Sequence, residues 1–434
     1  MSASVQKTLN KVSLILVKMG SDKHFNPYLR SKSEALNSLI NTIQFSLDVY
    51  SKRSRHRARK QADQSNYRQQ LDTIISNLVH CYLSKTYQRI AISRSAKDYV
   101  KSRYRPDSIT KNIPRLLDVL VKAGWIKQQL GQWKGLRTTV WPSRQLEVRL
   151  KHKGISFSDL QTIGKPETII LTTLDMTKQR QQGQPQPKKL KDYTETDLTI
   201  NLRSEMTVIN KHLQSYEVTL RGPQNYDLTN RMLVRRFNDQ YLNRDFLGGG
   251  RLWGGAWQYM TKADRRQRLF INGCSIAEVD YRQTMPCLMY ILKQRPIPDG
   301  DLYDINGYDR TGIKAIFNAM TFKDELLWFP KETKKFFEPE VCIQDVTQAI
   351  KERHKTIRSL FYSGIGHRLQ YLESSILVEV ILALANQGIP CLPIHDAILC
   401  RESDKEIVKG TMKQVSLDHT GYELEVSITG NNNT

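Results

Sequence analysis

The sequence predicts an α+β protein with a mostly helical N-terminal part, and two observations support this class. Apolar residues recur every three or four positions in "EALNSLINTIQFSLDVY" and "YRQQLDTIISNLVHCYLSK", which is the spacing of amphipathic helices. Further along, short apolar runs such as "SIAEV" and "IPCLPI" indicate strands among helical patterns. With 434 residues, 39% of them hydrophobic, the chain is long enough for two or three domains.

Residues 1-85 are predicted to be a helical N-terminal region. Its two helical patterns are joined by "SKRSRHRARKQADQSNYR", a basic and polar connection. Such a connection either contacts phosphates or is simply solvated.

Residues 86-175 are predicted to form a basic module with a helix followed by two strands. "PDSITKNIPRLLDVLVKAGWI" predicts a helix capped by Asp107 or Ser108 and ended at Gly124. The apolar face of this helix comprises Ile109, Ile113, Leu116, Leu117, Leu120 and Val121. "GWIKQQLGQWKGLRTTVWPS" then predicts two short strands around a glycine-containing turn. This order resembles the second half of a winged helix, which commonly lies on duplex nucleic acid and otherwise serves as a protein-protein adaptor.

Residues 176-200 are predicted to be a linker, because "KQRQQGQPQPKKLKDYTETD" is rich in Gln, Pro and Lys and has no periodicity. Residues 201-434 then form a second domain of mixed helix and strand.

The positive charge is concentrated in the first part of the chain. Residues 1-200 contain 36 Lys and Arg against 15 Asp and Glu, and residues 201-434 contain 30 against 28. The net charge of the first part is therefore +21, and that of the second is +2. An excess of this size usually marks a surface for a polyanion, most often nucleic acid; the alternative is a solvated basic face.

Cysteine usage and hydropathy predict the cellular setting. The six cysteines are scattered without CxxC pairs, so neither a zinc site nor a disulfide framework is expected. We expect a soluble protein of the reducing cytoplasm with no membrane contact, because no apolar run approaches 18 residues.

Two aspartates are predicted at the ends of strands. Asp280 follows "SIAEV", and Asp396 interrupts the apolar run "IPCLPIHDAILC". If the two strands meet in one sheet, the paired carboxylates suit two divalent cations about 3.5–4 Å apart, the arrangement for in-line phosphoryl transfer. The alternative is that the two are unrelated strand-end residues.

Between them, "YDRTGIKAIFNAMTF" predicts a helix with a functional stripe. Arg310, Lys314 and Phe322 recur at four- and eight-residue intervals, so they lie near one face. Two cations and an aromatic ring suit a nucleoside triphosphate. A solvated basic helix is the alternative, although it leaves Phe322 unexplained.

These segments resemble a known family. Asp280-Tyr281, the Arg310-x3-Lys314-x7-Phe322 pattern and His395-Asp396 resemble, in order, motifs A, B and C of family A DNA polymerases and of the related single-subunit phage and mitochondrial RNA polymerases. "GGGRLWGG" at 248-255 resembles the Gly-Arg-Leu segment that precedes motif A in that family. The resemblance covers roughly residues 230-434 and implies a right-hand polymerase fold with palm, fingers and thumb.

The resemblance also implies roles for individual residues. Asp280 and Asp396 would bind two catalytic Mg²⁺ ions, for which Mn²⁺ is a substitute, and the backbone carbonyl of Tyr281 would complete the ligand set. Arg310 and Lys314 would hold the triphosphate of the incoming nucleotide, with Lys314 also protonating the leaving pyrophosphate.

The same comparison assigns residues to the insertion site and the nucleic acid. Phe322 would pack at the insertion site, and His395 would lie near the primer terminus. Arg251 would contact the minor-groove side of the nascent duplex. Gln370, on a helix before the motif C strand, matches a template-contacting Gln of the family or is a helix-surface glutamine.

The sequence departs from the family pattern at three positions. Met285 stands where the DNA polymerases usually have a Glu that excludes the ribose 2′-OH, and a bulky Met can still exclude a hydroxyl. Asn318 stands where many relatives are aromatic, and Ala397 where a second acid is common. The motif A to C distance is also short, which implies reduced fingers.

The leading interpretation is a template-directed nucleotidyltransferase, a DNA-dependent DNA polymerase that extends a primer by two-metal-ion phosphoryl transfer. Its partners would be a DNA template and primer, nucleoside triphosphates and other replication proteins. The first 200 residues lack a carboxylate pattern typical of a 3′-5′ exonuclease. A small polymerase without an exonuclease would suit phages, plasmids or mobile elements. One alternative is a primase or single-subunit RNA polymerase that starts chains unaided. The other is a non-catalytic winged-helix initiator or DNA-binding protein.

Overall fold

The computed structural model describes residues 22–52, 60–84, 88–131, 137–173, 188–305 and 307–429. The chain forms two compact units. Unit 1 comprises the described residues up to Glu167 together with Pro223–Asn230, and unit 2 comprises those of Thr168–Gly222 and from Arg231 onward. Both units combine helices and strands, so the predicted α+β class is confirmed.

Unit 1 packs four α-helices with six short strands. The helices are α1 (Glu34–Lys52), α2 (Gln61–Leu83), α3 (Ile113–Lys122) and α4 (Arg144–His152). The strands are β1 (Lys23–His24), β2 (Leu29–Ser31), β3 (Ile90–Ala91), β4 (Ile126–Gln129), β5 (Thr139–Pro142) and β6 (Leu160–Thr162). One sheet has the order β1-β3-β5-β4, and β2 pairs with β6 in a second sheet.

The α3–β4–β5 segment has the predicted order of helix, glycine, strand and strand. Helix α3 begins at Ile113, several residues later than predicted, with Pro114 in its first turn, where the missing N–H costs nothing. Ile109 is buried ahead of the helix, whereas Val121 is 36% exposed and does not belong to the buried face. The connection between β4 and β5 lies partly at residues 132–136, outside the described residues.

The structure divides the chain differently from the predicted boundary at residue 85. A single hydrophobic core in unit 1 takes residues from both sides of that point, from Leu29 to Leu160. The predicted helical region and basic module are therefore one folded unit, because apolar residues of α1 and α2 share one core with residues of α3, α4 and the strands. The basic connection between α1 and α2 lies largely at residues 53–59, outside the described residues.

The predicted linker at 176-200 also differs. Residues 174–187 lie outside the described residues, but the chain from residue 188 onward is part of unit 2. Strand β7 (Ile169–Thr173) pairs with β8 (Lys189–Leu190) and in parallel with β10 (Val234–Asn238). The predicted end of the basic module at residue 175 is thus corrected to Glu167, because β7 belongs to a sheet of unit 2.

Unit 2 contains the remaining elements. The helices are α5 (Asp197–Gln214), α6 (Lys262–Arg268), α7 (Thr284–Leu292), α8 (Arg310–Phe322), α9 (Ile343–Arg353), α10 (Ile365–Asn386) and α11 (Lys405–Thr420). The further strands are β9 (Val218–Leu220), β11 (Gly248–Trp253), β12 (Leu269–Ile271), β13 (Cys274–Tyr281), β14 (Cys391–Ile394), β15 (Ala397–Arg401) and β16 (Val426–Thr429).

Two sheets organise unit 2. One sheet has four strands in the order β11-β10-β7-β8. The other has six strands, five in the order β14-β15-β13-β12-β9 and the sixth, β16, also paired to β13. Strand β13 alternates in burial: Ala277, Val279 and Tyr281 are buried, whereas Glu278 and Asp280 lie half-buried on the other face. This period of two is the signature of a strand with one face on a core.

Helix α10 is the core helix of unit 2. It packs against β11, α5, α7 and α11. By length and composition it is the one helix among the described residues that could cross a membrane, and half of its apolar stretch is buried inside the unit. The core helix of a soluble protein passes the same test, so this is weak evidence for a membrane span.

Candidate active site

The two predicted strand-end aspartates are brought together by the sheet around β13. Strand β13 pairs antiparallel with β15, and in that register Asp280 lies opposite Ala397. Asp396 immediately precedes Ala397, so the two aspartates lie side by side at one end of the sheet. Adjacent strands are 4.7–4.9 Å apart, about the reach of one cation held by two carboxylates.

Asp396 is delivered by a tight turn. His395 and Asp396 connect β14 to β15 as a two-residue hairpin turn, because Ile394 pairs with Ala397. His395 has a φ of 54°, in the left-handed region that is uncommon for residues with a side chain. Backbone strain of this kind is concentrated at functional sites, where the surrounding structure maintains it.

Nearby positive charges compensate the carboxylate pair only in part. Burial, followed by the negative charges of Asp396 and Glu278, raises the pKa of Asp280 to about 7, while the charges of Lys314 and Lys262 act in the opposite direction. The Oδ1 atom of Asp280 is buried and accepts no hydrogen bond from the described residues. A buried anionic oxygen without a donor is costly, and a bound cation would relieve that cost.

The carboxylate oxygens of Asp280 and Asp396 are ligands of the kind that Mg²⁺ and Mn²⁺ prefer, but they supply only part of a coordination shell. Mg²⁺ is usually bound by one or two carboxylates, with waters and substrate phosphates as the other ligands. Within the described part of the chain, no group of three or more His, Cys, Asp and Glu side chains could hold a metal ion. The pair would therefore need oxygen atoms from substrate and solvent.

Glu278 is a third carboxylate that sequence reasoning missed. It lies two residues before Asp280 on the same face of β13, with ion pairs to Lys262 (3.3 Å) and Arg265 (3.7 Å) of α6. Residues i and i+2 of a strand share a face, so the sequence contains the signal that could have found it.

Helix α8 presents the predicted cationic stripe. Asp309 caps its N-terminus by accepting a hydrogen bond from the Gly312 N–H at 2.9 Å. Arg310 and Lys314 are exposed, one turn apart, and the charge of Lys314 lowers the pKa of Asp280 against burial. The cations of α8 and the carboxylates of the sheet therefore belong to one electrostatic site.

Asn318 and Phe322 continue the same stripe of α8. The Oδ1 atom of Asn318 is buried and accepts no hydrogen bond from the described residues. The ring of Phe322 covers Gly366 at the start of α10 so closely that a Cβ there would lie 2.8 Å from it, and it meets the His367 ring edge-on at 5.1 Å. Phe322 thus joins α8 to α10.

Arg251 is engaged by a partner that sequence reasoning missed. Its Nε donates to Glu373 Oε1 at 3.0 Å and its Nη2 to Oε2 at 2.9 Å, a bidentate pair between β11 and α10. Glu373 is 2% exposed. Burial raises its pKa to about 7 against the opposing effect of Arg251, and the charge of Asp396 adds to the rise.

The remaining predicted residues are placed as follows. The His395 ring lies edge-on to Trp253, with centroids 5.6 Å apart, and burial followed by the Arg251 charge lowers its pKa. The Tyr281 hydroxyl donates to the Met412 carbonyl at 2.6 Å, so this side chain points away from Asp280. Met285 is buried in the first turn of α7, and Gln370 is half-buried on α10.

Comparison with known proteins gives little. No family model matches the chain, and no curated protein matches it. A solved structure of the POL domain of Pol1 from M. smegmatis, in complex with DNA primer-template and dNTP, aligns with 10% sequence identity and a TM-score of 0.29. The alignment covers 53% of this chain and 50% of that one, so this chain spans about half of that domain. Similarity at this level carries no argument about fold or function.

Proposed function

We propose that unit 2 is a template-directed nucleotidyltransferase, a DNA-dependent DNA polymerase with a right-hand arrangement in which the sheet around β13 is the palm. The observation that supports it most is the adjacent, half-buried pair of Asp280 and Asp396, with the cations of α8 nearby and an Asp280 Oδ1 to which no described residue donates a hydrogen bond.

The reaction forms a bond between the primer 3′ oxygen and the α-phosphorus of the incoming nucleotide, and it breaks the bond from that phosphorus to the β-phosphate oxygen. Asp280, Asp396 and the carbonyl of Tyr281 would hold two Mg²⁺ ions, which would lower the pKa of the 3′-OH and neutralise charge on the transferred group. The hydroxyl proton passes to solvent.

The cations of α8 would act on the triphosphate. Arg310 would bind phosphate oxygens through its terminal N–H groups, and Lys314 would donate a proton from Nζ to the leaving pyrophosphate. Phe322 and Met285 would border the insertion site. His395 would lie at the primer terminus.

The proposed role of Arg251 changes in one respect. Because its guanidinium is held by Glu373, any contact with the minor groove uses the donors that remain. Gln370 would contact the template from α10. Unit 1 would hold DNA through its α3–β4–β5 segment, where Arg115, Lys122 and Lys127 are exposed.

A primase or RNA polymerase is the second candidate, and Met285 leaves it open. The buried Met285 supplies no carboxylate to exclude a ribose 2′-OH. A primer-independent product made from ribonucleotides would establish that candidate.

The test is extension of a labelled primer on a DNA template with Mg²⁺, with dNTPs and rNTPs in separate reactions and one reaction without primer. We expect extension that depends on dNTPs. Asp396→Ala should reduce its rate at least about a thousandfold, because the substitution removes a group that phosphoryl transfer requires. Glu402→Gln, which changes a carboxylate in the turn directly after β15 and outside the pair, is the control. DNA binding without synthesis in any reaction would contradict the enzyme and favour the initiator.

A further inference from the structure

The loop Gly300–Tyr303 is tied to the active-site elements at several points. The side chain of Gln283, three residues after Asp280, accepts a hydrogen bond from the Leu302 N–H and donates one to the Gly300 carbonyl at 3.2 Å. The Leu302 carbonyl lies 2.9 Å from Nε2 of His354, the residue that follows α9. The loop is therefore a built part of unit 2 and holds its side chains in place.

Asp301 in this loop is paired with Arg310. Its Oδ2 accepts a hydrogen bond from Arg310 Nε, and its Oδ1 accepts one from the Tyr303 N–H at 2.9 Å. Burial opposes the charge of Asp301, but the hydrogen bonds from Arg310 and the Tyr303 N–H, together with the charges of Arg310 and Arg282, outweigh burial and lower the pKa of the carboxyl. Asp301 is thus a fixed anion on one edge of the Arg310 guanidinium.

Tyr303 lies against both cations of α8. Its ring centroid is 5.6 Å from the Arg310 guanidinium carbon and 5.9 Å from Lys314 Nζ, which is cation–π distance in both cases. The ring is 2% exposed and is held edge-on by Phe317, with centroids 5.5 Å apart. One rigid ring therefore sets the positions of the two cations.

The pairing leaves the ligand-binding edge of Arg310 open. Asp301 occupies Nε, and among the described residues no acceptor contacts the two terminal nitrogens. The Arg310 side chain is 51% exposed, so these nitrogens can meet a ligand. A guanidinium fixed in this way loses less rotamer entropy when it binds a phosphate than a free arginine does.

We propose that Asp301 is a positioning residue for the nucleotide triphosphate: it fixes Arg310 so that the terminal N–H groups face the phosphates, while Tyr303 keeps Arg310 and Lys314 at the spacing of adjacent phosphates. This inference rests on the proposed function. The opposite arrangement, in which Asp301 competes with the triphosphate for Arg310, predicts the opposite sign for the effect of its removal.

The test is the steady-state incorporation of one deoxynucleotide by the full chain, with KM and kcat measured separately. Asp301→Ala is expected to raise the nucleotide KM about tenfold, the loss of one charge-assisted contact of about 1.4 kcal/mol, with kcat within about twofold of the wild type. Asp301→Asn, which keeps the acceptor for the Tyr303 N–H but loses the charge, is expected to fall between.

Asp304→Ala is the matched control, because it removes the same charge from an exposed position of the same segment and should leave both constants unchanged. A nucleotide KM that is unchanged or lower in both Asp301 variants overturns the inference, as does a fall in kcat alone. If the wild type incorporates no nucleotide, the proposed function fails and the inference with it. If the wild type incorporates the nucleotide, the proposed function stands, and the Asp301 variants then test the inference by itself.

Discussion

Asp280 and Asp396 form a carboxylate pair that lowers the stability of the protein when no cation is bound to it. Both are at the end of a sheet, and Glu278 adds a third negative charge. Asp280 also has a buried oxygen to which no residue in the described part of the chain donates a hydrogen bond. Ordinary selection for stability would replace such a pair. Asp396 stands in a hairpin turn in which His395 has a φ of 54°, and backbone strain of this kind is concentrated at functional sites.

The pH dependence of stability provides a prediction at this scale. The pKa of Asp280 is about 7 in the folded protein, against an ordinary value of 3.8. Between these values the folded state retains a proton that the unfolded state has lost. The stabilising contribution is therefore fully present below about pH 4 and is lost as the pH rises through about 7.

Asp280→Asn should remove this dependence. The measurement is made in buffer with a chelator. We expect the free energy of unfolding of the variant, relative to that of the wild type, to be about 1–2 kcal/mol higher at pH 8 than at pH 4. This figure is smaller than the full pKa shift implies, because Asp280 is partly exposed and solvent screens its charge. Denaturant unfolding at both pH values measures it, and the exposed Asp304→Asn is the control. A difference between variant and wild type that does not change with pH would contradict the assigned environment of Asp280.

At the residue scale, some residues of the candidate site can be predicted from the sequence and others cannot. The positions of Asp280 and Asp396 at strand ends predict two strands that can meet, and the structure pairs those strands. The pairing of Arg251 with Glu373 is not predicted, because a long-range ion pair leaves no local pattern. Glu373 does stand among apolar residues at helical spacing on α10, which is a signal of a buried carboxylate.

At the scale of elements, the packing of α8 against α10 includes one very close contact. The ring of Phe322 covers Gly366, and no other residue type leaves room for it at that distance. Because Phe322 ends the stripe that begins with Arg310 and Lys314, this contact fixes the orientation of the whole stripe.

Gly366→Ala should therefore destabilise the protein. A Cβ at this position would lie 2.8 Å from the Phe322 ring, and we expect a loss of about 1–3 kcal/mol in the free energy of unfolding. The matched control is Gly410→Ala in α11, where nothing lies within 4 Å of a Cβ; it should stabilise by about 0.5–1 kcal/mol. Equal effects of the two substitutions in denaturant unfolding would refute the contact.

The elements themselves are largely readable from the sequence, but their boundaries are not. Helical spacing predicts α1, α2, α3 and α10, while the start of α3 is shifted because Asp107 and the following residues form turns before Pro114. The loop Gly300–Tyr303 has no periodicity, so its role in holding Arg310 depends on tertiary hydrogen bonds that no local pattern encodes.

At the scale of the whole molecule, the sequence places the division of the chain incorrectly. A Gln- and Pro-rich stretch predicts a linker at residues 176-200. Strand β7 lies just before this stretch and β8 lies inside it, and the two strands pair in one sheet of unit 2. Composition reports solvation, whereas strand pairing is decided by partners far along the chain, such as β10. The right-hand arrangement and the winged-helix character of unit 1 stay predictions.

The charge distribution is consistent with a division of labour between the parts of the chain. Residues 1-200 have a net charge of +21 and residues 201-434 of +2, so non-specific attraction to a polyanion belongs mostly to the first part. The carboxylate pair and the cations of α8 belong to unit 2. The account therefore assigns DNA retention and nucleotide chemistry to different regions of one chain.

The most direct measurement is the incorporation of a single nucleotide opposite each of the four template bases, by the wild type and by Asp280→Asn, with Mg²⁺ and a primed DNA template. The account predicts that the wild type adds the complementary deoxynucleotide on each template, and that the variant binds the same DNA but adds none. Addition that ignores the template base, or equal addition by the variant, would contradict a template-directed site built on Asp280 and Asp396.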